Sequence, residues 1–246
     1  MELSAISIPR KPYGVILVVT LALIALYHFG GALWRPVKAS FTGEKTVAQI
    51  ITRFEPMMEA RFEDLGLLTD GETLSILAFK EEQRLEVWKR HGDQWAFVKA
   101  YPFTGYSGVL GPKLKQGDLQ IPEGIYEVEY LNPNSSFHLS MKLDYPNAFD
   151  RARAAEEGRT DLGGDIFIHG SNLTVGCIPI GDEAIEELFY LVAKNGFRNT
   201  TVVVAPLDFR QHSKFPTIDY ISWEEELYTL IENKLDEYPA YEGVCH

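Results

Sequence analysis

The stretch Gly163-Gly164-Asp165-Ile166-Phe167-Ile168-His169-Gly170-Ser171-Asn172-Leu173-Thr174-Val175-Gly176-Cys177-Ile178-Pro179-Ile180 decides how the rest of the chain is read. Ile166-Phe167-Ile168 is a short apolar run bounded by glycines, the pattern of a buried strand. The strand ends in His-Gly. A short turn follows, then Gly-Cys leads toward a helix. A strand end fixes the position of whatever side chain it carries, and the seven residues between His169 and Cys177 are enough to fold back on it.

Those residue types suit nucleophilic chemistry. A thiol is mostly protonated near neutral pH, and an adjacent imidazole can take its proton. Gly176 carries no side chain, so a carbonyl group could approach the backbone N–H groups of Gly176 and Cys177, which would then act as an oxyanion hole. The competing reading is plain: a lone cysteine is usually a small buried hydrophobe, and a lone histidine is usually a hydrogen-bonded structural residue.

Outward from this stretch, strands dominate. Leu74–Lys80, Arg84–Arg90 and Trp95–Tyr101 are short runs rich in apolar and aromatic residues, and His91-Gly92-Asp93 signals a hairpin between the last two. Gly124–Leu131 and Phe137–Leu143 follow, joined by the turn-forming cluster Asn132-Pro133-Asn134-Ser135-Ser136. Asp165–His169 and Thr200–Ala205 complete the set. Helices lie at the edges. One starts at Thr46 with apolar residues at helical spacing and is expected to bend or break near Pro56. A second has Asp182 as its expected N-cap and Gly196 as its stop, and a third spans Trp223–Leu235. The expected architecture is a mainly-β (α+β) sandwich or half-barrel with peripheral helices.

The 246-residue chain has a formal charge of −12, which would repel a phosphate backbone and argues against nucleic acid as a partner. Two cysteines, Cys177 and Cys245, make neither a disulfide framework nor a zinc site of the CxxC kind. Arg10 and Lys11 precede Tyr13–Phe29, a run without Asp, Glu, Lys or Arg, and apolar character continues to Trp34. At about 1.5 Å per residue, 17–22 residues extend roughly 25–33 Å, enough to cross a bilayer. Basic residues on the N-terminal side predict that the chain starts inside and the body lies outside the cytoplasm. The alternative is a cleaved signal peptide, with Val37-Lys38-Ala39 as the cleavage signal.

The His-Gly…Gly-Cys stretch resembles the catalytic signature of the YkuD/ErfK-type L,D-transpeptidases, above all their YafK-like branch, which pairs Ile/Val-His-Gly with Ser/Thr-x-Gly-Cys a few residues on. Other blocks carry the same resemblance: Tyr106–Leu114, Gly117–Tyr126, Asn132–Ser135, Phe137–Ser140, Asp144–Asp150 and Gly158–Thr160. Val175 stands where the wider family has histidine, and the residues after Cys177 lack the usual Arg or Asn. The resemblance implies a YkuD-like β-sandwich over residues 71–206. Around it are expected a cytoplasmic N-terminus (1–12), a transmembrane anchor (13–34), a linker and amphipathic helix (35–70) and a C-terminal helical extension (207–246).

What it implies chemically is acyl transfer on peptidoglycan stem peptides, serving cell-wall biogenesis and cell shape, with no metal or cofactor. Cys177 attacks the carbonyl of the diamino acid at stem position three, and His169 is the general base. Gly176 supplies an oxyanion donor, and a carbonyl at Gly170 or Ser171 orients the imidazole. Transpeptidation and hydrolysis share the acyl-enzyme, so an amidase that frees a wall-attached lipoprotein is the alternative, and a non-catalytic wall-binding module the second alternative. The partners implied are stem peptides, the inner membrane through the N-terminal helix, and the wall-linked lipoprotein, with the body in the periplasm. Arg159 is the expected ligand for a substrate carboxylate, against an ion pair with Asp161 or Asp165. His138, Tyr145 and Lys113 are further substrate-binding candidates, each of which could instead be structural.

Overall fold

The structure is a computed structural model that describes residues 43–62 and 72–241. The apolar N-terminal stretch and Cys245 lie outside the described residues. Among the described residues no helix is long and apolar enough to cross a membrane.

Eight strands form one mixed sheet in the order β3-β2-β1-β8-β4-β5-β6-β7. They are β1 (Leu74–Phe79), β2 (Arg84–His91), β3 (Gln94–Pro102), β4 (Gly124–Asn132), β5 (Ser140–Leu143), β6 (Phe167–His169), β7 (Ile178–Pro179) and β8 (Thr200–Ala205). Helices α1 (Val47–Phe62), α2 (Ala148–Glu156), α3 (Asp182–Asn195) and α4 (Glu224–Leu235) lie around it. The β1–β8 and β6–β7 pairs are parallel and the rest antiparallel.

The sheet is continuous because β4 serves both of its halves. Its Gly124–Glu127 end pairs with β8 and its Val128–Asn132 end with β5, with a register shift between Val128 and Tyr130. Such a shift bends the strand and increases its twist. Each face of the central strands is then covered. Leu74, Ile76, Ala78, Val202 and Val204 join the core that includes α1 and α3, while Leu77, Phe79, Val203 and Ala205 join a second core built with α4 and the residues before it. That is why β1 and β8 are continuous apolar runs rather than alternating ones.

Most sequence boundaries hold, and the exceptions have local causes. The helix predicted near Thr46 runs unbroken through Pro56, because its buried residues Ile50, Phe54, Met58 and Phe62 recur every fourth position and Pro56 faces solvent. Each such side chain contributes roughly 1.5–3 kcal/mol when fully buried. The strand predicted from Phe137 begins only at Ser140, since His138 has φ +73°. Gly181, not Asp182, is the N-cap of α3, because the Asp182 carboxylate instead accepts the N–H of Ser171 at 2.7 Å.

Candidate active site

His169 ends β6, between Ser140 of β5 and Pro179 of β7. It is 1% exposed. Phe137 stacks on its ring, with centroids 4.7 Å apart and planes 28° apart. The ring's Nδ1 is hydrogen-bonded to the Gly170 carbonyl. A carbonyl only accepts, so Nδ1 carries the proton and Nε2 is the bare nitrogen of the neutral ring. Nε2 is buried and has no hydrogen-bond partner among the described residues. Burial holds the imidazole below its ordinary range, against the opposing pull of the Gly170 carbonyl. The ring at rest is therefore neutral at neutral pH.

Cys177 immediately precedes β7. The pairing of Ile168 with Ile178 sets it alongside Phe167, two residues before His169 on the neighbouring strand. The thiol is half-buried and donates to the carbonyl of Asp165 at 3.7 Å, not to His169. Burial pushes the thiol up, with the Asp165 carboxylate adding to it; the Phe167 N–H and the Lys113 ammonium pull the other way. Burial thus disfavours the charged form of both groups, and the thiol is bonded to the Asp165 carbonyl rather than to the imidazole.

Thr174 anchors the cysteine. Its hydroxyl oxygen accepts the N–H groups of Gly176 at 3.2 Å and Cys177 at 2.9 Å, and its O–H donates to the Cys177 carbonyl at 2.7 Å. Both N–H groups expected to form the oxyanion hole are therefore engaged within the turn. Gly176 is also needed for another reason than the one expected. Its φ is +128°, and a Cβ there would stand 2.9 Å from the Gln120 carbonyl oxygen. It is the protein's own backbone that passes close to this glycine.

The turn after His169 is held on both sides. The Gly170 carbonyl, one of the two expected, holds the imidazole, while the Ser171 carbonyl accepts the hydroxyl of Thr104 at 2.6 Å. A Cβ at Gly170 would meet Asp182 Oδ1 at 2.6 Å and the Phe137 carbonyl oxygen at 2.8 Å.

The four candidates for substrate binding all have partners within the protein. Lys113 is 5% exposed and donates to Asp118 Oδ1 at 2.6 Å and to the Lys115 carbonyl at 2.8 Å. Burial raises the Asp118 carboxyl. The bond from Lys113 and the N–H groups of Lys115, Leu114 and Gln120 outweigh that and hold it below its ordinary range. The Lys113 charge is thus paired within the protein, the structural alternative named for it above. Tyr145 is 3% exposed, its hydroxyl within reach of the carbonyls of Lys113 and Leu162, and so it serves the packing. Arg159 bonds Glu157 at 2.6 Å and the Leu114 carbonyl at 2.8 Å, in place of the expected Asp161 or Asp165. His138 pairs with Glu186 at 2.7 Å. Reading residues singly missed Phe137, Asp182 and Thr104. Thr174 carried a signal, since it fills the Ser/Thr position three residues before the cysteine. Among the described residues no group of His, Cys, Asp or Glu could hold a metal ion.

His169 at the end of one strand and Cys177 just before the next are held in a mixed sheet with peripheral helices, and sequence comparison names the class. The YkuD family model, the L,D-transpeptidase catalytic domain, matches residues 74–204, and the chain belongs to that family. It is 36% identical over 124 residues to the Escherichia coli (strain K12) protein YafK, whose name assigns it provisionally to the L,D-transpeptidases. The match covers 50% of this chain and 48% of that one, so the chain spans about half the length of the curated relatives it matches. Among solved structures, the helical cell shape determining protein Pgp2 of Campylobacter jejuni aligns at 18% identity over 74% of this chain and 78% of its own, with a TM-score of 0.46. Bd1075 of Bdellovibrio bacteriovorus aligns at 24% identity over 57% and 54%, with a TM-score of 0.41.

Proposed function

We propose that this protein is a cysteine acyltransferase acting on peptidoglycan stem peptides, with Cys177 as nucleophile and His169 as general base. The observation that carries the reading is the state of His169. Its Nδ1 proton is fixed on the Gly170 carbonyl, leaving Nε2 as a buried, unpartnered proton acceptor one strand away from a half-exposed thiol. Membership of the L,D-transpeptidase family supports the substrate class.

The cycle follows from those groups. The thiol turns from the Asp165 carbonyl toward the imidazole, and Nε2 takes its proton as sulfur attacks the stem-peptide carbonyl. The tetrahedral intermediate collapses as the C–N bond breaks and the imidazolium returns the proton to the leaving amine. The thioester carbon is then attacked by an acceptor amine or by water, with Nε2 again accepting the proton and handing it to the departing sulfur, which restores the thiol and the neutral ring. Because burial lowers the imidazole, it stays neutral and competent as a base somewhat below the ordinary histidine range of about pH 6.5. The apolar N-terminal run is read as an anchor that keeps the domain in the periplasm, where the polymer lies.

The test uses defined muropeptides with and without an amine acceptor, analysed by mass. Cross-linked product supports transpeptidation. Hydrolysed donor, or lipoprotein freed from sacculi, supports the amidase form of the same acyl-enzyme. Cys177→Ala should abolish turnover. His169→Ala should lower it by about 10²–10⁴-fold with the fold retained; full activity in Cys177→Ala would falsify the proposal.

A further inference from the structure

The mechanism needs a donor for the oxygen that becomes negative when sulfur adds to the carbonyl, and the N–H groups of Gly176 and Cys177 are engaged by Thr174. A different group close to the same loop lacks any partner. The hydroxyl oxygen of Ser107 is buried and has no hydrogen bond among the described residues. A buried hydroxyl left unpaired costs roughly 1–3 kcal/mol, so such groups are rare and call for a cause.

The surroundings of Ser107 supply one. The segment 104–109 lies along the reactive loop and touches it at several points. Thr104 binds the Pro179 carbonyl through its N–H at 2.9 Å and the Ser171 carbonyl through its hydroxyl at 2.6 Å. Gly105 packs so tightly on Asn172 that a Cβ would fall 2.1 Å from its carbonyl oxygen. At the other end the N–H of Val109 donates to the Gln120 side chain at 3.0 Å, and the Gln120 backbone carbonyl is the group that crowds Gly176. Ser107 therefore lies on a strap whose Thr104 and Gly105 meet Ser171, Asn172 and Pro179, and whose Val109 bonds Gln120, the residue that crowds Gly176. The bare Nε2 of His169, which accepts, and the Ser107 hydroxyl, which can donate, are both buried without a partner among the described residues.

We propose that the Ser107 hydroxyl is the side-chain donor that stabilises the oxyanion formed on the stem-peptide carbonyl when Cys177 attacks it. The inference rests on the acyl-transfer reading above. No bond to Ser107 forms or breaks; its O–H donates a hydrogen bond that strengthens as the carbonyl oxygen gains charge and relaxes when the intermediate collapses.

The test measures stem-peptide turnover, melting temperature and alkylation of Cys177 by iodoacetamide in the full chain, for wild type, Ser107→Ala and Ser107→Thr. Removal of one oxyanion donor should lower kcat by about 10²–10³-fold with little change in KM. Ser107→Thr, which keeps the hydroxyl, should recover most of the rate. Deleting an unpaired buried hydroxyl should leave the melting temperature unchanged or raise it. Iodoacetamide reacts without forming an oxyanion, so alkylation of Cys177 should be unchanged. If wild type turns over and Ser107→Ala turns over equally well, the Ser107 assignment is wrong while acyl transfer stands. If Ser107→Ala loses turnover together with melting temperature or alkylation, the residue is structural and the assignment again falls. If wild type neither turns over nor forms a thioacyl adduct, the acyl-transfer reading itself fails.

Discussion

Where the sulfur of Cys177 sits depends on a hydroxyl three residues away. Thr174 accepts two N–H groups and donates to one carbonyl within a single turn, a pattern that no apolar isostere can reproduce. Thr174→Val keeps the shape and branching but strands two donors and one acceptor. It should destabilise the protein by about 2–4 kcal/mol, taking each stranded group near the low end of the usual penalty, and it should change the alkylation rate of Cys177. Thr174→Ser should be close to wild type in both. A Thr174→Val protein with an unchanged melting curve and unchanged alkylation would show that the turn is held by other contacts. That His169 and Cys177 come to neighbouring positions was legible in the sequence, because both lie in one short stretch that can fold back on itself. The reasons for their neighbours were not. At Gly176 the group that excludes a Cβ is the carbonyl of Gln120, more than fifty positions earlier, which no local pattern reveals. Likewise the partner of Lys113 is Asp118, and that of Arg159 is Glu157. Which of several nearby carboxylates a cation meets is decided by loop geometry, and residue types alone do not encode it.

At the scale of elements, legibility followed the size of the buried stripe. The α3 helix buries residues such as Ile185, Leu188, Phe189 and Val192 and was read from its period. The α2 helix was not, because in nine residues it buries only Asp150 and Ala154. Its signal is instead at its start. Asn147 and Asp150 form a capping box, the Asn147 side chain accepting from the Asp150 N–H at 3.1 Å and the Asp150 carboxylate from the Asn147 N–H at 2.9 Å. Burial pushes the Asp150 carboxyl up to about 6, against the opposing bonds from Asn147 and Tyr126. Its value in the fold thus lies above the ordinary 3.8, so the folded state holds this proton more tightly. The stabilisation is fully present below pH 3.8 and is lost as pH rises through about 6. Asp150→Asn keeps an acceptor for the Asn147 N–H and removes the titration. Urea midpoints should therefore show wild type losing ground to Asp150→Asn between pH 4 and pH 7, by a swing of at most about 3 kcal/mol. Parallel midpoints over that range would mean that the carboxyl titrates alike in both states.

Across the whole molecule, the segment after β8 covers one face of the sheet. The family match ends at residue 204, and from the sequence the residues beyond it read as a helical extension. In the structure Phe209, Ile218, Ile221, Trp223, Leu227, Tyr228, Ile231 and Leu235 make one core with Leu77, Phe79, Trp88, Val203 and Ala205. Polar ties accompany the packing. Tyr238 donates to Ser75 at 2.8 Å, and Tyr228 donates to Glu123 at 2.9 Å. Glu123 is itself the fully buried partner of Lys80 at 2.8 Å, and Lys80 also holds the carbonyls of Gly111 and Ile121. The same carboxylate accepts the N–H of Gly111, so the C-terminal segment is coupled through one ion pair to the stretch carrying Lys113 and Asp118. Two variants grade this coupling. Tyr228→Phe removes one donor to a buried carboxylate and should cost about 1.5–3 kcal/mol in urea unfolding. A chain ending at Pro206 uncovers the apolar face of β1 and β8 and leaves Glu123 short of a partner, so it should be insoluble or bind a hydrophobic dye without a cooperative transition. Recovery of a soluble chain ending at Pro206, with a sharp melting transition and intact alkylation of Cys177, would show that the family core stands alone and that the second core is dispensable.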